Sequence, residues 1–238
     1  MTLDPERTAR YSRQLVIPAI GIEGQLRLLE ARVRVVGASA AAAPGILYLA
    51  LAGVGTLWID DPETVGPAES GHWLYPRESV GEPRSAVAAA ALQARSRFIR
   101  VEPWRADAMP AATLVLAPST VQAVAAAEAA RRARLPHVVA EADGDGGTVV
   151  TIPLGAPCFA CARSVGRTAR PPTAGAAALS ALAAEELVLL LAAPTAVPGR
   201  RVDLTRGVPS VRATARLAGC ACGEGASGVP PAFDDEGQ

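Results

Sequence analysis

Strand-like and helix-like segments alternate along this chain, and the alternation constrains the fold more than any other feature. Residues 32–36 form a run of arginine and valine that predicts a strand, 44–52 predict an apolar helix, and 56–60 predict a second strand. Together they form a strand–helix–strand unit of about thirty residues. Such a unit predicts two parallel strands that are joined by a covering helix.

The same pattern continues further along the chain. Residues 83–96 and 121–134 predict helices, and residues 98–101, 113–117 and 136–139 predict strands. Repeated alternation is typical of a mostly parallel sheet covered by helices, with a binding crevice at the carboxyl ends of the strands. We therefore expect a Rossmann-like, doubly wound α/β fold.

Both ends of the chain depart from the alternation. Residues 5–30 predict two short helices divided by Pro18 and Gly21. Near the other end, predicted strands at 147–152, 200–204 and 210–217 form an antiparallel extension. A loop at 157–173 and an alanine-rich segment at 174–193 lie between the first and second of these strands. We expect one domain over 1–223, with a helical arm (1–31), a nucleotide-type half (32–145) and a partner-binding half (146–223), and then a disordered tail (224–238).

The longest apolar stretch, residues 174–193, is about as long as a membrane span. It contains Glu185 and Glu186 side by side, which would be costly in lipid, so it predicts a buried or half-buried helix. Residues 1–7 are charged and lack the apolar core of a secretory signal. These features predict a cytoplasmic protein with reduced thiols and no membrane association.

Composition narrows the possible chemistry. The 23 basic residues balance 23 acidic ones, and every basic residue is an arginine; lysine and asparagine do not occur. A zero net charge argues against a nucleic-acid partner. The missing lysine and asparagine also mean that no lysine amine and no asparagine amide can take part in a site.

Several short motifs recur at the spacings of a known family. They include Arg10-Tyr11-Ser12-Arg13-Gln14-Leu15, Gly24-Gln25, Ala52-Gly53-Val54-Gly55 and Val80-Gly81-Glu82-Pro83. With them, the chain resembles the ubiquitin-activating-like enzymes, and among these the bacterial sulfur-carrier adenylyltransferases of molybdopterin and thiamin synthesis (the MoeB/ThiF/HesA group). The resemblance extends over nearly the whole chain.

The resemblance implies a specific chemistry. Family members are homodimers that bind ATP, Mg²⁺ and the diglycine carboxyl terminus of a small ubiquitin-like protein, whose carboxylate attacks the α-phosphate to form an acyl-adenylate. The resemblance implies that the phosphate-binding turn begins at Gly37, that Asp61 and Glu63 are the two carboxylates of the nucleotide site, and that Arg13 and Arg84 are its phosphate-binding cations. For Asp61, a cap on the following turn is an equally good interpretation.

Several groups that the family uses are replaced here. Residues 37–42 read Gly-Ala-Ser-Ala-Ala-Ala where the family is glycine-rich, and each added Cβ in such a turn costs on the order of 1 kcal/mol. Residues 68–73 contain neither the expected Asn nor an Arg in register. Arg84 stands where the family has lysine, and Thr120 where it has the metal-binding aspartate. These changes predict that binding of ATP and Mg²⁺ is weakened or lost.

Two functions are therefore open. The first is a non-catalytic or regulatory subunit that binds a ubiquitin-like or sulfur-carrier protein, or a peptide, as a homodimer or paired with an intact homologue. The second is an active adenylyltransferase with a site rebuilt around Arg13, Arg84, Asp61 and Glu63. A dinucleotide oxidoreductase would fit the strand–helix–strand unit but not the cysteine pattern.

All four cysteines lie in two tight pairs. Cys158 and Cys161 are separated by two residues, and Cys220 and Cys222 by one. Four thiolates in a cytoplasmic protein predict structural Zn²⁺, with free thiols or partial ligation as the alternatives. Since two intervening residues are usual in each pair, ligation by both Cys220 and Cys222 stays open.

Overall fold

The computed structural model describes residues 3–117, 119–143, 146–163 and 173–223. The helices are α1 (Pro5–Leu15), α2 (Gly21–Glu30), α3 (Ala43–Ala52), α4 (Arg84–Gln93), α5 (Thr120–Arg132), α6 (Phe159–Ala162) and α7 (Thr173–Ala192). The strands are β1 (Arg32–Val36), β2 (Thr56–Asp60), β3 (Arg100–Pro103), β4 (Ala112–Val115), β5 (His137–Asp143), β6 (Gly146–Ile152), β7 (Arg200–Thr205) and β8 (Val208–Ala213). The tail predicted at 224–238 lies outside the described residues.

The strands form one mixed sheet in the order β3-β2-β1-β4-β5-β6-β7-β8. The pairs among β3, β2, β1, β4 and β5 are parallel, and those from β5 to β8 are antiparallel. The predicted fold class, a mostly parallel sheet with an antiparallel carboxyl-terminal extension, is confirmed. The direction of winding reverses between β1 and β4, which is where an open α/β sheet forms its binding crevice.

Alternate residues of the strands face two separate apolar cores. Val33 and Val35 of β1 face the larger core, which α3, α4 and α7 cover, whereas Val36 lies against the smaller core under α5 and α6. Alternation of side chains along a strand sends neighbouring residues to opposite faces, so both faces require helices. Helices α3, α4 and α7 accordingly cover one face of the sheet, and α5 and α6 cover the other.

Helix α7 is long and apolar enough to cross a membrane by length and composition alone. It packs instead along α3 and against β5 and β6. Its Glu186 is buried and accepts hydrogen bonds from Arg200 of β7 at 2.8 and 2.9 Å and from the Thr151 hydroxyl of β6 at 2.6 Å. Glu185 is exposed. This pattern is that of a helix covering a sheet, as predicted, because the buried carboxylate has its charge partner inside the fold.

Several predicted boundaries were wrong: among them, β5 extends to Asp143 rather than 139, and α4 ends at Gln93 rather than 96. Strand β3 begins at Arg100 rather than 98, because the Phe98 ring lies under the guanidinium groups of Arg7 and Arg10 at 5.7 and 5.6 Å. Strand β8 covers Val208–Ala213 rather than 210–217, since the chain then turns to bring the last cysteines towards the first pair. The predicted loop at 157–173 contains the short helix α6, and its residues 164–172 lie outside the described part.

The contact between α3 and α7 depends on a glycine. A Cβ on Gly45 would lie 2.3 Å from the Ser180 carbonyl oxygen, so we expect Gly45→Ala to separate the two helices and to lower the free energy of unfolding by about 1–3 kcal/mol. Gly175→Ala in α7 is the matched control: its Cβ would meet no atom within 4 Å, and it should be neutral or stabilising by up to about 1 kcal/mol. Urea denaturation measures both. Equal effects of the two substitutions would contradict this account of the contact.

Candidate functional site

The turn that follows β1 lies where the winding of the sheet reverses. Gly37 has a φ of +89°, and a Cβ on it would lie 2.5 Å from the Leu116 carbonyl oxygen at the end of β4. The glycine is therefore required by the close approach of two neighbouring strand ends. The following residues, Ala38 and Ala40, are buried alanines, so the turn closes without further glycines.

Two carboxylates of the same chain bind the backbone N–H groups of this turn. Asp61 accepts from the Ala38 N–H at 2.6 Å through Oδ2, and Glu69 accepts from the Ala40 N–H at 3.0 Å through Oε1. The Tyr75 hydroxyl donates to the Ala38 carbonyl oxygen. Buried backbone groups require partners, and here the partners come from side chains that follow β2.

Arg84, at the start of α4, joins the two carboxylates. Its Nε and Nη2 donate to Glu69 Oε2 at 2.9 and 2.7 Å, and its Nη1 lies 3.5 Å from Asp61 Oδ2. The Arg84 side chain is only 15% exposed. Burial lowers its pKa, but the Glu69 hydrogen bond and the charges of Asp61 and Glu69 outweigh this and raise it. The guanidinium charge is thus neutralised within the protein.

Glu69 is the site residue that sequence analysis missed. Residues 68–73 lack the Asn and Arg that the family resemblance implies, but they contain Glu69, which accepts four hydrogen bonds: one from the Ala40 N–H, one from the Gly66 N–H at 3.1 Å and two from Arg84. Burial raises its pKa, but these hydrogen bonds and the Arg84 charge lower it below the usual value. The signal was a charged residue within the segment in which the family resemblance leads one to expect site residues.

Asp61, Glu69 and Arg84 form one charged cluster at the turn after β1, and the other predicted nucleotide-binding residues lie outside it. The Glu63 side chain is exposed, and its backbone N–H donates to Asp61 Oδ1 at 2.8 Å. That hydrogen bond is the cap on the following turn that the sequence also allowed for Asp61. Arg13 is exposed in the last turn of α1, and within the described residues it forms no ion pair with Asp61 or Glu69. Thr120 begins α5 and is exposed.

The two histidines lie outside the cluster as well. His137 is buried at the start of β5, where its Nδ1 lies 2.9 Å from the Leu135 carbonyl oxygen, and burial lowers its pKa. His72 is exposed. A structural role fits the first, and neither contacts the turn after β1 through the described hydrogen bonds.

The four cysteines form a second site at the other side of the sheet. The Sγ atoms of Cys158, Cys161, Cys220 and Cys222 all lie within 4.8 Å of one another. Cys158 contacts Cys161 and Cys220 at 3.7 Å, and Cys161 contacts Cys222 at 3.7 Å. Tetrahedral zinc with bonds of about 2.3 Å would separate its sulfurs by about 3.8 Å. The cluster is thus placed to bind a metal ion such as zinc.

The surroundings act on the cysteines in opposite directions. Burial raises the pKa of the Cys158 thiol to about 12 and also raises that of Cys161, whereas at Cys222 burial is outweighed by hydrogen bonds to the Cys158 backbone and to the other thiols, which lower the pKa to about 6. The Leu217 N–H donates to Cys161 Sγ at 3.4 Å. Arg131 of α5 lines the small pocket beside Cys158 and is itself paired with Glu128 at 2.7 Å. A guanidinium and a backbone donor near sulfur stabilise its charged form.

From the lowered pKa of Glu69 we expect the stability of the fold to depend on pH. Because the pKa of Glu69 is lowered, its hydrogen bonds stabilise the fold fully above the ordinary value of 4.5, and this contribution is lost as the pH falls through the lower folded value. The free energy of unfolding of the wild type should therefore fall more steeply below pH 4.5 than that of Glu69→Gln. Urea denaturation from neutral to acidic pH measures this. Glu82→Gln, on an exposed neighbour, should keep the wild-type slope, and parallel curves for Glu69→Gln and the wild type would refute the prediction.

Comparison with known proteins places the chain in a family. The model of the ThiF family matches residues 11–203. The sulfur carrier protein adenylyltransferase of Thermus thermophilus is 41% identical over 100 residues, which are 42% of this chain and 37% of that protein. The probable adenylyltransferase/sulfurtransferase MoeZ of Mycobacterium tuberculosis is 56% identical over 63 residues, 26% of this chain and 16% of that protein. The matched segments span well under half the length of these relatives.

A solved structure shows the same fold. The crystal structure of Escherichia coli MccB with ATP superposes with a TM-score of 0.77 over 92% of this chain and 75% of that chain, at 15% sequence identity. At this identity the likeness establishes architecture alone. The family match, however, covers well over half of the sequence, and the chain belongs to the ThiF family.

Proposed function

We propose that this protein binds the carboxyl terminus of a small ubiquitin-like or sulfur-carrier protein, or a peptide, and has lost efficient ATP-dependent adenylation. It would act as a non-catalytic or regulatory subunit in a biosynthetic pathway. Family membership supports the partner class, since a relative is a sulfur carrier protein adenylyltransferase. The observation that carries the loss of activity is the neutralisation of Arg84 by Asp61 and Glu69.

Phosphate chemistry needs positive charge directed at the developing negative charge of the transition state. In the crevice described here, the cation at the family's lysine position is engaged by two carboxylates of its own chain. Magnesium needs carboxylate oxygens, and the expected aspartate is replaced by the exposed Thr120. Since a catalytic cation or metal ion typically contributes several kcal/mol to transition-state stabilisation, their combined loss should abolish useful turnover.

One observation favours the alternative function, an active adenylyltransferase with a rebuilt site. Asp61 and Arg84 both lie at the turn after β1, as the family resemblance implies, and 3.5 Å apart. Rearrangement of the Arg84 side chain away from Glu69 would then be needed to expose a cation to the nucleotide. ATP–pyrophosphate exchange separates the two functions.

The prediction for the proposed function has two parts. A small carrier protein ending in Gly-Gly should bind the chain in calorimetric titration, because family membership supports this class of partner. The same mixture with Mg-ATP should show no ATP–pyrophosphate exchange above background, because Arg84, the cation at the family's lysine position, is engaged by Asp61 and Glu69. The Thermus thermophilus relative with its own carrier is the positive control. Robust exchange by this chain would establish the alternative instead.

We also propose that the four cysteines hold one structural zinc ion. Support comes from the match between the sulfur separations of 3.7 Å and those of tetrahedral zinc. Bound there, zinc would supply no reactive group; it would tie the segment that follows β6 to the segment that follows β8. Both Cys220 and Cys222 would be ligands, since each contacts a different member of the first pair.

Purified protein should therefore contain one zinc per chain by elemental analysis. Cys220→Ser and Cys222→Ser should each lower the zinc content and the melting temperature, because three thiolates hold zinc less tightly than four. Chelation should lower the melting temperature of the wild type and zinc should restore it, whereas the zinc-saturated chelator is the control. Full zinc content in Cys220→Ser would show that only one cysteine of the second pair is a ligand.

The domain division and assembly stay proposals. We propose one domain over 1–223, built from the helical arm (1–31), the nucleotide-type half (32–145) and the partner-binding half (146–223), in a cytoplasmic protein. Pairing with a second copy or with an intact homologue is supported by exposed apolar side chains between and on the arm helices. These are Val16, Ile17 and Ile22.

A further inference from the structure

One carboxylate at the turn after β1 collects an unusual number of donors. Glu69 accepts from the Ala40 N–H at 3.0 Å, from the Gly66 N–H at 3.1 Å, and from Nε and Nη2 of Arg84 at 2.9 and 2.7 Å. The donors belong to three separate segments: the turn after β1, the loop after β2 and the start of α4. The side chain is 14% exposed, so the cluster is largely sheltered from water.

This donor set is that of a site for an oxyanion. Backbone N–H groups of a strand-to-helix turn, together with an arginine that donates through two nitrogens, are the groups that bind phosphate and carboxylate oxygens in proteins. Nothing in these donors distinguishes a carboxylate of the chain from an oxygen of a bound anion. All the donors of an oxyanion site are present, and the carboxylate of Glu69 occupies the place of the anion.

A neighbouring carboxylate adds electrostatic repulsion against an external anion. Asp61 lies 3.5 Å from Arg84 and binds the Ala38 N–H, so a second negative charge faces the same turn. Asp61 also caps its own turn through the Glu63 N–H, a hydrogen bond that removal of the Glu69 carboxylate leaves in place. Glu69 is therefore the carboxylate whose removal frees the most donors while leaving the turn after β2 capped.

We infer that Glu69 is a specificity-determining residue, which occupies an oxyanion site with its own carboxylate and thereby excludes phosphate and other oxyanions from the crevice. The inference deepens the proposed function and rests on it for the identification of this crevice with the nucleotide crevice of the family. It goes further in naming one replaceable group as the block. Removal of that group should turn a closed site into an open one.

The test is gain of binding. Glu69→Ala removes the carboxylate that pairs with Arg84. The affinity of this variant for inorganic phosphate should therefore be at least about tenfold higher than that of the wild type, which should bind little even at millimolar phosphate. Glu69→Gln keeps the shape and removes the charge, and should show a smaller gain; it serves if the alanine variant does not fold. Isothermal titration calorimetry with phosphate alone measures both, after circular dichroism has shown that each variant is folded.

Two controls locate the bound phosphate. Glu82→Ala removes the same charge from an exposed neighbour and should leave phosphate affinity at the wild-type value, which excludes a general effect of net charge. The double variant Glu69→Ala with Arg84→Gln should lose the gained affinity, because the guanidinium is then missing. A gain that persists in the double variant, or an equal gain in Glu82→Ala, would overturn the inference.

The outcomes also separate this inference from the proposed function. If folded Glu69 variants bind phosphate no better than the wild type, or if the wild type binds it as tightly as they do, the inference fails and the proposed loss of adenylation is unaffected. If the wild type catalyses ATP–pyrophosphate exchange, the proposed function fails, and exclusion of oxyanions by Glu69 fails with it; if it does not, a gain of phosphate affinity in Glu69→Ala supports the inference.

Discussion

Buried backbone N–H groups must have acceptors, and this requirement governs the turn after β1. In the described structure the acceptors are the carboxylates of Asp61 and Glu69, which reach the Ala38 and Ala40 N–H groups from the segment that follows β2. Arg84 then pairs with both carboxylates and offsets one of their two negative charges. The same three side chains thus close the turn, tie α4 to the sheet and set the charge of the crevice.

This arrangement explains how the turn after β1 accommodates alanines at positions where the family resemblance implies glycines. Glycines in such a turn leave room for a ligand and for unusual backbone angles. Here only Gly37 has the positive φ that requires glycine, and the Ala38 and Ala40 side chains are buried in the apolar core. The chain itself provides the anionic partners of this turn, through Asp61 and Glu69.

The antiparallel half of the sheet depends on a different constraint. Strand β8 is exposed along its whole length, and among the described strands it pairs with β7 alone. An edge strand with few apolar contacts needs another attachment. The cysteine cluster lies just beyond its end, where Cys220 and Cys222 each contact one member of the first pair. A metal ion there would fix the end of β8 to the segment that follows β6.

The sequence by itself determined the architecture, because hydrophobic periodicity is local: alternation in 32–36 and the apolar helix at 44–52 are visible in single windows. It also identified all four cysteines, because their pairing in two short motifs is local too. Tertiary structure alone decided that Glu69 meets Ala40, 29 residues away along the chain, and Arg84, 15 residues away. It also decided where β3 and β8 begin and end, through contacts of Phe98 and the last cysteines. Hydrogen bonds between separate segments depend on how those segments pack, and no window of sequence contains that information.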